Sequence, residues 1–107
     1  MRREMRSAAL IFAALGDHTR LLLLARLSAE GPLSITHLTR GGPLSRQAVT
    51  KHLHVLAGAG LAASAHRGRE SVWQAEPAPL QTARQCLDSI SAQWDAALGR
   101  LRDLVEE

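Results

Sequence analysis

Gln47, Lys51 and His54 recur every three or four residues, with Arg46 and Thr50 close by. On a helix, at about 100° per residue, these three share one face, with Thr50 on its flank. Val49, Leu53 and Leu56 share the opposite face. The outer face thus offers amide, ammonium, hydroxyl and imidazole groups, and the stretch from Leu44 to Leu61 holds no carboxylate. A helix that only covers a core usually mixes both charge signs outside. A one-sided set of donors suits hydrogen bonds to base edges and phosphates.

Other chemistry finds little support. His18, His37 and His66 lack metal-ligand spacing, and Cys86 has no second cysteine. His52 falls beside the core face and is read as packing or hydrogen-bonding there. No nucleophile–base set or glycine-rich phosphate loop occurs, and the carboxylates of Glu106 and Glu107 fall on an exposed end. An enzyme is not expected, nor is a cofactor or a bound metal.

The donors need elements to position them. Ser45 is a good N-cap for a helix from Arg46 to about Ala57, and Gly58 with Gly60 should close it. Ser34 starts a short helix before it, with Ile35 and Leu38 facing inward, and Arg40-Gly41-Gly42-Pro43 forms the turn between them. Two helices joined by a short turn, the second with a polar outer face, make a helix-turn-helix pattern. Upstream, a first helix from about Arg3 to Leu15 carries the stripe Ala8, Ile11, Phe12 and Leu15. Asp17 caps a second, from His18 to about Ala29. Leu21, Leu22, Leu23, Leu24 and Leu27 make that helix apolar on most sides, so it reads as the buried centre, with Arg20 and Arg26 at exposed edges.

Downstream, Leu61–His66 and Ser71–Ala75 read as a hairpin turning at Arg67-Gly68-Arg69-Glu70. After Pro77 and Pro79 a long helix runs from about Leu80 to Val105. Its seam is Leu80, Ala83, Leu87, Ile90, Trp94, Ala97, Leu101 and Leu104, widened by Leu98 and Val105. The spacing alternates three and four, a heptad pattern. A chain of 107 residues has little core left to cover such an arm, so a second copy is the expected partner.

Composition agrees. The chain is 46% hydrophobic with only three aromatics, Phe12, Trp73 and Trp94, which favours a helical Leu/Ala core. Net charge is +3, concentrated in residues 33–76, where Arg40, Arg46, Lys51, Arg67 and Arg69 face only Glu70 and Glu76. The tail beyond is acidic. A basic middle suits an anionic partner. No apolar run approaches the ~20 residues of a membrane helix, and no signal peptide is visible, so a cytoplasmic location and no membrane partner are expected.

The sequence resembles the ArsR/SmtB family of winged helix-turn-helix repressors. The resemblance begins at Phe12-Ala13-Ala14-Leu15-Gly16-Asp17-His18-Thr19-Arg20. It is most specific at Ser45-Arg46-Gln47-Ala48-Val49-Thr50-Lys51-His52-Leu53, which is similar to the family's recognition-helix signature. Leu56, Gly60 and Leu61 match the end of that signature, and Arg67-Gly68-Arg69 matches the wing turn. Trp94, Leu98 and Leu101 resemble a branch whose last helix carries a Trp. The cysteine motif of metal-sensing members is replaced by Leu33-Ser34-Ile35-Thr36-His37, and no Asp/His ligand set stands on the last helix. The third helix also ends early, at Gly41-Gly42.

The expectation is a mainly α winged helix-turn-helix: four helices, a short β-hairpin wing and a long C-terminal dimerisation helix. Residues 1–107 would be one DNA-binding domain with N- and C-terminal dimerisation helices. The function implied is a homodimeric repressor on double-stranded operator DNA. Ser45, Arg46, Gln47, Thr50, Lys51 and His54 would meet bases and phosphates, and Arg67 and Arg69 the flanking backbone or minor groove. Ile11, Phe12, Leu87, Ile90, Trp94, Leu98, Leu101 and Leu104 would join the copies. An unknown small-molecule inducer stays open. So do two alternatives: a protein-interaction module using the long helix, and a metal-responsive repressor.

Overall fold

The computed structural model describes residues 2–106. Glu107, read with Glu106 as an acidic end, lies outside them. The order is α1 (Arg2–Leu15), α2 (His18–Glu30), β1 (Leu33–Ser34), α3 (Ile35–Thr39), α4 (Arg46–Gly58), β2 (Ala62–Arg67), β3 (Glu70–Ala75) and α5 (Ala78–Glu106). All helices and both hairpin strands lie within a few residues of their predicted places.

The caps explain why. Asp17 accepts the Arg20 amide N–H at 3.0 Å. Ser34 and Ser45 accept the amide N–H of His37 and Ala48, each at 3.1 Å. Each satisfies a donor that a helix start leaves unpaired. The close of α4 differs from expectation in one detail. Gly58 is the last helical residue, and Gly60 alone takes the left-handed conformation, at φ 76. A Cβ on Gly60 would meet Cγ of Pro79 only at ordinary contact distance, 3.4 Å, so the backbone angle is what calls for glycine there. The hairpin turns in two residues, with Gly68 at φ 65 as such loops require.

One strand was not predicted. β1 is two residues long and pairs antiparallel with β3, setting Leu33 against Trp73 and Ser34 against Val72. The sheet order is β1-β3-β2. Two residues carry no readable alternation, which is why sequence pattern missed it.

The core gathers Leu23, Leu24, Leu27, Leu38, Val49, Leu53, Leu56, Leu61 and Trp73. Each fully buried leucine contributes roughly 1.5–3 kcal/mol through removal from water. Two expectations fail here. Leu21 and Leu22 are exposed, so α2 buries one side and is not apolar-packed all round. Four consecutive leucines must point in four directions on a helix, and the small sheet and α4 cover only one side. Ile11, expected between copies, is buried in its own chain's core, because the α1 stripe faces that core.

The molecule measures 68 × 29 × 20 Å. The long dimension comes from α5, whose 29 residues span about 43 Å. α1 packs along its first part.

Candidate nucleic-acid interface

The outer side of α4 divides into side chains held by the protein and side chains left free. Ser45 caps the helix. Arg46 donates from Nη1 to the Thr36 hydroxyl at 2.7 Å, which ties α4 to α3 across the glycine-rich turn. Thr50 is half-buried and donates its hydroxyl to the Arg46 carbonyl at 2.7 Å. His54 is exposed, yet its ring stands edge-on to Trp73, with centroids 5.4 Å apart at 87°. That contact couples α4 to the middle strand of the sheet.

Gln47 and Lys51 are different. Both are exposed, and neither makes a hydrogen bond or ion pair among the described residues. They lie one turn apart on the side away from Val49, Leu53 and Leu56. No carboxylate of α4 stands near to neutralise Lys51. Such groups can meet an outside acceptor without first breaking an internal bond.

At the hairpin tip Arg67 and Arg69 are exposed and unpaired among the described residues. Arg67 lies opposite Glu70 in the ladder, but no ion pair closes between them. The α4 donors and the wing arginines therefore belong to separate elements that meet through β2, which follows α4 after Gly60.

Beside α4 lies a polar cluster that the sequence did not flag. His52 is half-buried, with Nδ1 3.4 Å from Nη1 of Arg20 and 3.9 Å from Oδ2 of Asp17. Arg20 is not at an exposed edge of α2. Its Nε donates to the Ala14 carbonyl at 2.6 Å and its Nη2 to the Ala13 carbonyl at 3.5 Å. The Arg20 amide N–H, more than any charge, holds the Asp17 carboxyl below its ordinary range, with the Arg20 charge adding to it. The signal available was the Asp17-x-x-Arg20 spacing, which places a capping acid and a cation on the same turn.

The seam of α5 is split. Ala83 is buried and Leu80 half-buried against the rest of the chain. From Leu87 onward it is open: Leu87, Ile90, Trp94, Leu98, Leu101 and Leu104 are all exposed, Trp94 at 64%. Phe12 is half-buried on α1. Among the described residues no three His, Cys, Asp or Glu side chains converge as a metal ion would require, and no single helix is long and apolar enough to cross a membrane.

No protein-family model matches the chain. It is 39% identical over 93 residues to the HTH-type transcriptional regulator Rv2034 of Mycobacterium tuberculosis, covering 87% of this chain and 83% of that protein. It is 40% identical over 77 residues to YuzN of Bacillus subtilis, an uncharacterised HTH-type transcriptional regulator, covering 66% of this chain and 84% of that one. Its fold superposes on an ArsR-like transcriptional regulator from Rhodococcus sp. RHA1 with a TM-score of 0.80 and 36% identity, over 94% and 93% of the two chains. A capped second helix after a short turn, a two-stranded hairpin and these relatives agree: the chain belongs to the ArsR family of DNA-binding, helix-turn-helix transcriptional regulators.

Proposed function

We propose that the chain is a homodimeric repressor, one domain per copy, that reads operator DNA with α4 and anchors with the wing. The observation that carries the reading is the free, acid-free pair Gln47 and Lys51 on a helix where Arg46, Thr50 and His54 are engaged within the chain. Gln47 offers an amide suited to an adenine edge, and Lys51 a cation for guanine or phosphate. Arg46, Thr50 and Ser45 lie at the start of the same helix, where exposed groups approach the backbone. Arg67 and Arg69 add charge without sequence preference.

Two copies would be joined through the open seam of α5, and the half-buried Phe12 of α1 would add to the joint. Dimer symmetry would set two α4 helices about one helical turn apart on the duplex, near 34 Å. The family position supports regulation at a promoter. A branch that does not sense metal is read from the sequence, which has no cysteine in the third-helix stretch Leu33-Ser34-Ile35-Thr36-His37 and no Asp/His ligand set on the last helix.

The test is binding to a duplex selected by the protein from a randomised pool, measured across salt. Gln47→Ala or Lys51→Ala should each weaken it by ~1–3 kcal/mol and relax selectivity at a single position. Arg67→Ala or Arg69→Ala should weaken all sequences alike and lower the salt slope by about one. Unchanged binding by the α4 variants, with the fold intact, would reject α4 as the reading helix. Release from DNA by micromolar zinc would reject the metal-independent branch.

A further inference from the structure

Arg20 stands where three helices meet. Through Nε and Nη2 it closes the last turn of α1 on the Ala14 and Ala13 carbonyls. Through its backbone N–H it donates to the Asp17 carboxylate that caps α2. Through Nη1 it reaches Nδ1 of His52 in the middle of α4. His52 follows Lys51 directly and precedes Leu53, which is fully buried. α1 in turn packs along α5. One guanidinium therefore bridges the α1–α5 layer and the helix that carries Gln47 and Lys51.

We infer that Arg20 and His52 form a positioning link, which fixes the rotation of α4 against the α1–α5 layer and so sets sequence selectivity without touching DNA. The inference rests on the reading of α4 as the DNA-reading helix. Its chemistry is directional. Arg20 only donates, so Nδ1 of His52 must present its lone pair, with the ring proton on Nε2. The guanidinium fork spans two carbonyls and the imidazole at once, which a single ammonium cannot do. Base contacts need side chains placed within a few tenths of an ångström, whereas attraction to phosphates depends mainly on charge. Loosening the link should therefore lower affinity for the selected duplex and leave affinity for random DNA nearly unchanged.

The experiment uses the full chain, a duplex selected by the wild-type protein and a random duplex of equal length. Variants are Arg20→Lys, His52→Leu, His52→Gln and the double variant Arg20→Lys with His52→Leu. Sedimentation and melting accompany each. Arg20→Lys and His52→Leu should each weaken the selected duplex about 10-fold, a size typical of residues that act through others, and random DNA less than about twofold. His52→Gln, which restores an acceptor oxygen, should bind within about threefold of wild type. The double variant should be no worse than the weaker single one, because both break one link. Equal losses on both duplexes, additive losses in the double variant, or no rescue by Gln would each overturn the inference. Additivity would also follow if His52 touched DNA itself. If Arg20→Lys fails to fold, the His52→Leu and His52→Gln pair decides alone. A wild-type chain with no salt-dependent preference for any duplex would instead overturn the DNA-reading assignment.

Discussion

The helix-turn-helix body and the α5 arm follow the same rule of apolar spacing and reach opposite ends. In α4, Val49, Leu53 and Leu56 are buried, and the polar side chains opposite are sorted into fastened and free. In α5 the seam is as regular, yet beyond Ala83 each large apolar side chain is exposed. The body closes its core within one chain because α2, α3 and the sheet surround α4. The arm extends past everything that could cover it. Periodicity thus says which face is to be buried and is silent about which molecule buries it.

The largest effect should separate the two regions directly. Leu53→Ala, at a fully buried site, should cost ~2–5 kcal/mol of unfolding free energy at any protein concentration. Trp94→Ala should cost little in a dilute single chain, where Trp94 is already 64% exposed, and should instead make melting and operator affinity strongly concentration-dependent. Denaturant melts at several concentrations, with sedimentation, check both. A Trp94→Ala protein that became monomeric yet bound a palindromic site as tightly as wild type would break the comparison. A charge at Leu101 should act in the same direction as Trp94→Ala, since a carboxylate inside the joined seam would lack a partner.

A smaller effect sharpens the body's side. Ser45→Ala removes the acceptor for the Ala48 amide and should destabilise by about 1 kcal/mol, with little change in dimerisation. Thermal melting measures it, and a loss confined to DNA binding would mean that the cap matters for contact more than for folding.

The smallest effect concerns acid. Asp17 is more acidic folded than unfolded, chiefly through the Arg20 amide N–H. The stability it contributes is therefore present above the unfolded carboxylate pKa and lost as pH falls through the lower folded one. Melting temperature should drop over that range, and Asp17→Asn should flatten the dependence there. An unchanged profile in that variant would assign the acid sensitivity to other carboxylates.

The reading of the sequence succeeded where the physics is local. Asp17, Ser34 and Ser45 cap as their side chains dictate, because a cap bonds only two or three residues ahead. The core face of α4 and the wing turn at Gly68 follow from helical period and from the freedom of glycine at positive φ. The seam of α5 was legible as a seam. The free pair Gln47 and Lys51 was legible as outward-facing, but not as distinct from Arg46, Thr50 and His54.

What the sequence determined by itself was therefore the order of elements, their ends and the face each must bury, all set by interactions spanning a few residues. Tertiary structure decided the rest. It exposed Leu21 and Leu22, drew Ile11 into the core, and paired the two residues of β1 with Trp73 and Val72. It also laid His54 on Trp73 and brought Arg20 to His52, thirty-two positions away. A contact between side chains that distant leaves no periodic trace, because its partners are chosen by how whole helices pack and not by what stands beside them in the chain.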